Sequence, residues 1–172
     1  MRDPLAHPRP LMRRVYAYAA YRLGDGPEAE DAMSETFERA IRYRSTYDER
    51  LGEPAVWLIG IARRCVSEVL AQRAESAGEP PDQAAPGNLE VEAVARVMMK
   101  DAVARLSTRD RELVGLRYGG DLSARQIAEF LGLSTNAVEV GLHRALSRLR
   151  GVLTEHEIAP AGSEADEDPV RI

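Results

Sequence analysis

The sequence predicts an all-α protein of two small helical domains joined by a flexible linker, and three observations carry that reading. Apolar residues recur at helical spacing in each long segment, and none alternates with period two. Residues 74–88 contain three Pro, two Gly and no large apolar side chain, which is the composition of a linker. Aromatics make up only 5% of 172 residues, so little material exists for a large β core. The length has room for one ordinary domain or two small ones.

The elements follow in order. Residues 1–10, with Pro4, Pro8 and Pro10 among charges, read as a flexible N-terminus with no apolar signal-peptide core. A first helix carries Val15, Tyr18, Ala19 and Leu23. Gly24-Asp-Gly-Pro27 separates it from a second, and Pro27 suits a first helical turn. That second helix has Ala29, Ala32, Met33, Thr36, Phe37, Ala40 and Ile41 on one stripe. Residues 45–53 form a polar loop. A third helix from about 54 to 73 carries Val56, Ile59, Ala62, Val66, Val69 and Leu70 on one face. The first domain is therefore 11–73, followed by an acidic, Pro-rich linker at 74–92.

A second domain spans 93–153, with helices of about 90–105, 108–118, 124–131 and 135–153. Ser107-Thr-Arg-Asp110 and Ser123-Ala-Arg-Gln126 are capping-box patterns, in which side chains satisfy the free N–H groups of a helix start. Gly119-Gly120 and Gly132 supply the stops. The last helix has Val138, Leu142, Ala145, Leu149 and Val152 on one face. Residues 154–172 read as an acidic, disordered tail.

Charge is distributed unevenly. The net charge is −5, but residues 74–92 and 154–172 each carry −5, whereas 1–73 carry +1 and 93–153 carry +4. Local charge decides what a face can bind, so the total does not exclude nucleic acid. Cys65 is the single cysteine, and His7, His143 and His156 lie far apart. No metal site, cofactor or catalytic residue is expected, and no nucleophile–base pair or phosphate-binding Gly loop points to an enzyme. No apolar run approaches the ~20 residues of a membrane span. A cytoplasmic protein is expected.

The strongest local signal is 126–138. Ile127, Ala128 and Leu131 form the inner face of a short helix, Gly132 permits a tight turn, Leu133 plugs the core and Ser134 caps the next helix. This resembles a helix-turn-helix, whose second helix enters the DNA major groove; a plain helical hairpin is the alternative. The outward residues of the second helix are Thr135, Asn136, Glu139, Val140, His143 and Arg144. Asn136 can address adenine and Glu139 can accept from cytosine, although Glu139 also repels phosphate. Gly141 weakens the middle of the helix by about 1 kcal/mol.

Both halves together resemble an extracytoplasmic-function (ECF) sigma factor of bacterial RNA polymerase. Tyr21-Arg-Leu-Gly-Asp25, Ala29-Glu-Asp-Ala-Met-Ser-Glu-Thr-Phe-Glu-Arg-Ala40 and Ala55-Val-Trp-Leu-Ile-Gly-Ile-Ala-Arg63 are similar to the family's region 2. Leu106-Ser-Thr-Arg-Asp-Arg-Glu-Leu-Val114, Leu116-Arg-Tyr118, the helix-turn-helix and Leu142-His-Arg-Ala145 are similar to region 4. The resemblance implies a specificity subunit that catalyses nothing itself. Its partners would be core polymerase, through the β and β′ subunits, and promoter DNA. An anti-sigma factor is a partner it leaves open.

By the same resemblance, Asp31, Ser34, Glu35 and Glu38 would contact the polymerase clamp. The family usually has Gln where Ser34 stands. The −10 element would be held by Thr46, Tyr47 and Arg50 of the loop, with Arg63, Arg64, Ser67 and Glu68 on the following helix. Tyr47 can stack on a flipped base or pack under its own loop. Arg64 stands where Asn is frequent, and it lacks an amide's mixed donor and acceptor. The −35 set would be Ser123, Arg125, Thr135, Asn136, Glu139, Val140, His143 and Arg144. Glu139, Val140 and Gly141 replace the family's usual cation, Ser and Arg, which weakens the expected hold on phosphate.

Two other classes stay open. The second domain alone resembles the DNA-binding half of a LuxR-type regulator, which would act as a dimer without polymerase. The substitutions at Ser34, Glu139 and Gly141 also leave open a degenerate sigma-like binding protein.

Overall fold

Proline and glycine set most helix boundaries of the computed structural model, which describes residues 3–76 and 91–158, with backbone alone at 91–96 and 155–158. The helices are α1 (Pro8–Leu23), α2 (Pro27–Arg42), α3 (Pro54–Glu75), α4 (Val91–Ala104), α5 (Thr108–Val114), α6 (Ala124–Leu131) and α7 (Thr135–Ile158). A 3-10 turn at Arg44–Thr46 leads into the loop before α3, and a π turn at Gly115–Gly119 extends α5. No strand occurs among the described residues.

α1, α2 and α3 each place a proline in the first turn, where its missing N–H has no intrahelical partner to lose. Glu28 and Glu30 lie in the first turn of α2 and Arg39 and Arg42 in its last, so the charges oppose the helix dipole. Ser123 and Gln126 cap α6 reciprocally. Gly132, at φ 67°, takes the left-handed conformation that stops α6. Ser134 accepts from the Ala137 amide at the start of α7.

Several expectations are corrected. The N-terminus is not loose throughout 1–10: α1 starts at Pro8, Pro4 is buried, and Leu5 packs against the core. α3 runs through Glu75 and α4 begins at Val91, so only 77–90 of the expected linker lie outside the described residues. α7 continues to Ile158 because no proline interrupts it, and tail residues 159–172 lie outside. Ser107 caps α5 by accepting from the Asp110 amide, but the box is not reciprocal. The Asp110 carboxylate instead takes a hydrogen bond from Arg148 of α7. Leu133 is 37% exposed and does not plug the core. Leu131 and Phe130, before the turn, pack against it instead.

The two halves share a core. Val15, Tyr18, Leu58, Ile59 and Val66 of the first form one buried cluster with Leu113, Leu116, Leu122, Ile127, Val138 and Leu142 of the second. A smaller cluster of Ala102, Val103, Leu106, Val114, Ala145 and Leu149 ties α4 to α5 and α7. The junction is close at the π turn. A Cβ on Gly119 would stand 2.6 Å from the Tyr18 amide nitrogen and 2.8 Å from the Ala17 carbonyl carbon, so only glycine fits against α1. Around it, Arg14 donates to the carbonyls of Gly120 and Asp121 at 2.8 Å each, and buried Arg22 donates to Thr108 at 2.8 Å.

The sole thiol sits away from this junction. Cys65 is 2% exposed on α3, facing α2, and burial raises its pKa above the ordinary value.

Candidate nucleic-acid interface

Helical spacing puts the polar stripe of α2 opposite its buried face, which holds Ala29, Ala32, Thr36 and Ala40. Asp31, Ser34 and Glu38 are exposed. Glu35 is half-buried, accepting from Arg39 Nε at 2.5 Å. The same guanidinium reaches α3, donating through its two terminal nitrogens to both oxygens of Glu68 at 2.8 and 2.7 Å. Hydrogen bonding to Glu68 first, and then to Glu35, raises the Arg39 pKa, and Arg39 in turn lowers that of Glu68. Arg39 was not singled out by the sequence. Its tie to Glu35 is signalled by the i,i+4 spacing, but nothing local signals Glu68.

The loop at 43–53 borders a cleft of about 630 Å³ lined by Tyr43, Thr46, Trp57, Arg63, Arg64 and Phe130, among others. Thr46 is exposed, with its hydroxyl donating to the Tyr43 carbonyl at 2.7 Å. Tyr47 does not project as a free stacking platform. It is 6% exposed, its hydroxyl donates to the Gly52 carbonyl at 3.0 Å, and its ring lies 5.5 Å from that of Trp57. Arg50 is exposed and folded onto Asp48, which holds the carboxylate below its ordinary pKa. Leu51, at 85% exposure, projects from the loop into solvent.

On α3 the expected group splits. Arg64 is exposed at the cleft. Ser67 is exposed and returns its hydroxyl to the Arg63 carbonyl at 2.8 Å. Glu68 is held by Arg39. Arg63 is turned toward the second half: its Nε donates to Glu112 on α5 at 2.6 Å, and its guanidinium lies 5.7 Å from the ring centre of Phe130 on α6. Glu112 and Phe130 were missed by sequence reasoning, because each meets α3 only through tertiary contact.

The helix-turn-helix presents its outward residues as its pattern requires. Thr135, Asn136, Glu139, Val140, His143 and Arg144 are exposed on one side of α7, while Val138, Leu142 and Ala145 are buried on the other. Ser123 is spent on capping, and Arg125 pairs along α6 with Glu129 at 3.0 Å. Gly141 has a packing reason: a Cβ there would lie 2.7 Å from Leu113 Cδ1, so its absence lets α7 approach α5.

This arrangement offers one open helix face, one acidic face and an aromatic- and arginine-lined cleft. Among the described residues there is no group of His, Cys, Asp or Glu able to hold a metal ion, and no helix is long and apolar enough to cross a membrane.

Comparison with known proteins gives a consistent result. The Sigma-70 region 2 family model matches residues 9–75, and the Sigma-70, region 4 model matches residues 96–149. The ECF RNA polymerase sigma factor SigD of Mycobacterium bovis is 32% identical, over 96% of this chain and 80% of that protein. The ECF RNA polymerase sigma factor BldN of Streptomyces coelicolor is also 32% identical, over 82% of this chain, but the match spans only 56% of BldN. SigL of Mycobacterium tuberculosis is 29% identical, over 84% of this chain and 90% of its own. Among solved structures, the sigma factor RpoE of Bartonella quintana, in complex with the anti-sigma factor NepR, shares the fold at a TM-score of 0.69 and 20% identity. It covers 88% of this chain and 95% of its own.

Proposed function

Starting from the premise that the chain belongs to the ECF sigma factors of bacterial RNA polymerase, we propose how its residues divide the work of transcription initiation. The chain is an RNA polymerase sigma factor, with core polymerase and promoter DNA as partners. Both sigma regions occur in one chain, and the LuxR-type alternative finds no support. Sigma factors are non-catalytic regulators, and we extend that to this chain: RNA synthesis belongs to the core enzyme. Its site of action would be the cytoplasm, with the polymerase.

Two domains would act in sequence along the chain, 11–73 on polymerase and the −10 element and 93–153 on the −35 element. Asp31, Ser34 and Glu38, exposed on α2, would meet the β′ clamp, with Glu35 held in place by Arg39. Arg64 and the 43–53 loop would face the −10 strand across the arginine- and aromatic-lined cleft. Base stacking there would fall to the cleft's exposed side chains, because Tyr47 is held under its loop. Thr135, Asn136, Glu139, Val140, His143 and Arg144 would face −35 DNA. An anti-sigma factor, such as the one bound to the Bartonella RpoE, would be a further partner.

The observation that carries this reading is the order of the two matched regions, each with its outward polar residues exposed. In vitro transcription with core polymerase tests it. Promoter-specific transcripts are expected only when this protein is added. A protein that binds core without giving transcripts would instead be a degenerate sigma-like factor.

A further inference from the structure

Two guanidinium groups near the C-terminal end of α1 hold buried N–H groups that have no acceptor. Arg22 of α1 is 6% exposed, and its Nε has no hydrogen-bond partner. The Nε of Arg111, on α5, is buried and equally without one. Arg22 reaches α5 through Nη1, which donates to the Thr108 carbonyl at 2.8 Å. Arg111 follows Thr108 by one turn, on the same side of α5. Arg73 of α3 reaches the same corner: its Nη2 donates at 2.9 Å to the carbonyl of Leu23, the residue after Arg22.

Three cations from three helices therefore converge. Among the described residues, Arg73 pairs with Glu28, and neither Arg22 nor Arg111 has an ion pair. Three guanidinium groups against one carboxylate leave a local positive excess. Its cost is visible at Arg111, whose guanidinium is lowered from its ordinary pKa by burial first and then by the charges of Arg22 and Arg73. The Arg73 side chain is 36% exposed and Arg111 is partly exposed, so solvent reaches the rim of the cluster.

We propose that Arg22, Arg73 and Arg111 form a binding site for a phosphate group, free or carried as a monoester, held between α1, α3 and α5. The site lies apart from the surfaces assigned above to polymerase and promoter DNA and does not depend on them. An anion at this corner supplies acceptors to buried N–H groups that lack them and offsets the repulsion among the three charges. A carboxylate brings two oxygens. A phosphate brings at least three, enough for one to each guanidinium, and the planar fork of arginine donates to such oxygens in pairs. A phosphate monoester carries about −1.5 to −2 at pH 7, which answers the excess.

The test uses the full chain at about pH 8, where the phosphate is mostly the dianion. Thermal denaturation is followed as inorganic phosphate rises, with sodium chloride holding ionic strength constant. The melting temperature should climb and then saturate, by about 3–6 °C when phosphate stands at ten times its Kd. Arg111→Gln removes a guanidinium that has no ion pair to lose. In chloride alone it should melt at or above the wild-type temperature, yet it should bind phosphate roughly fivefold more weakly or worse. Arg9→Gln removes the same charge from an exposed position about 20 Å away along α1, and should bind as the wild type does. Methyl phosphate separates the two sources: saturation at similar affinity shows that the site accepts a monoester, and binding of inorganic phosphate alone confines it to the free ion.

A wild type that does not respond to phosphate overturns the proposal. So does a rise that never saturates, or one equal in the wild type and Arg111→Gln, since either marks a general salt effect. Should Arg111→Gln fail to fold, Arg111→Lys decides. It keeps the charge and loses the fork, so phosphate affinity should still fall, and an unchanged affinity counts against the site.

Discussion

Arg39 of α2 grips both carboxylate oxygens of Glu68 on α3, at 2.8 and 2.7 Å, while its Nε holds Glu35. One cation thereby fixes the seam between the helix expected to meet polymerase and the helix expected to meet promoter DNA. The Glu68 side chain is 53% exposed, so solvent screening limits the contribution of the pair. A double-mutant cycle on Arg39→Ala and Glu68→Ala, read by urea denaturation, should give a coupling of about 0.5–1 kcal/mol. A coupling of zero would show that the two-point contact does not stabilise the seam.

The seam should weaken in acid. Glu68 and Glu28 both have pKa values lowered from 4.5, by Arg39 and Arg73 respectively. A carboxylate with a lowered folded pKa adds stability that is complete above its unfolded value and is lost as pH falls through the folded one. The melting temperature should therefore fall as pH drops below about 4.5, the unfolded value, and Arg39→Ala with Arg73→Ala should flatten that fall. A profile unchanged in the double variant would assign acid sensitivity to other groups.

Polymerase docking should depend most on the acidic side chains of α2 that are exposed. Asp31→Lys with Glu38→Lys should reduce core binding at least tenfold and leave helicity intact, since neither residue is buried. Glu35→Lys should also disturb the seam, because it places a second cation beside Arg39. Holoenzyme assembly at wild-type affinity in the Asp31/Glu38 variant would move the docking surface elsewhere.

On α7, Glu139→Arg should strengthen binding to duplex DNA of any sequence and steepen the salt dependence by about 1 in log–log slope for one added phosphate contact. If Glu139 reads cytosine, the same change should instead erase one base preference worth about 1–3 kcal/mol. Binding titrations on matched and scrambled duplexes across salt separate the two. No change in either would mean that this face of α7 does not approach DNA.

The glycines should respond unequally to a methyl group. Nothing lies within 4 Å of a Cβ placed on Gly151, inside α7, so Gly151→Ala should stabilise by about 0.5–1 kcal/mol. At Gly141 the gain in helix propensity is offset by the contact with Leu113 Cδ1, so Gly141→Ala should be near neutral. Thermal denaturation of the two variants checks the order, and equal shifts would contradict it.

What was legible in the sequence was local. Pro27, Gly24, Ser123 with Gln126, and Gly132 mark helix ends through backbone chemistry that acts within a few residues. The outward face of α7 followed from helical spacing, and its exposed residues are those the spacing selects. What was not legible depends on residues far apart in the chain. Glu112 meets Arg63 across 49 positions, and Arg14 meets Gly120 across 106. Gly119 read as a helix stop, whereas its lack of a side chain answers a backbone on another helix. Tyr47 was ambiguous because an aromatic ring serves stacking and packing equally, and only the loop's curvature brings the Gly52 carbonyl to its hydroxyl.

Cys65 turns the α2–α3 seam into a clock. A thiol reagent needs the thiolate, and this thiol is both shielded and held above its ordinary pKa, so modification must wait for the helices to part. The labelling rate at neutral pH, divided by that of the unfolded chain, would then report how far region 2 opens. Seated on polymerase through α2, the protein should label more slowly than it does alone. A single native atom would thus report whether the factor is seated on the enzyme it serves, without any added probe site.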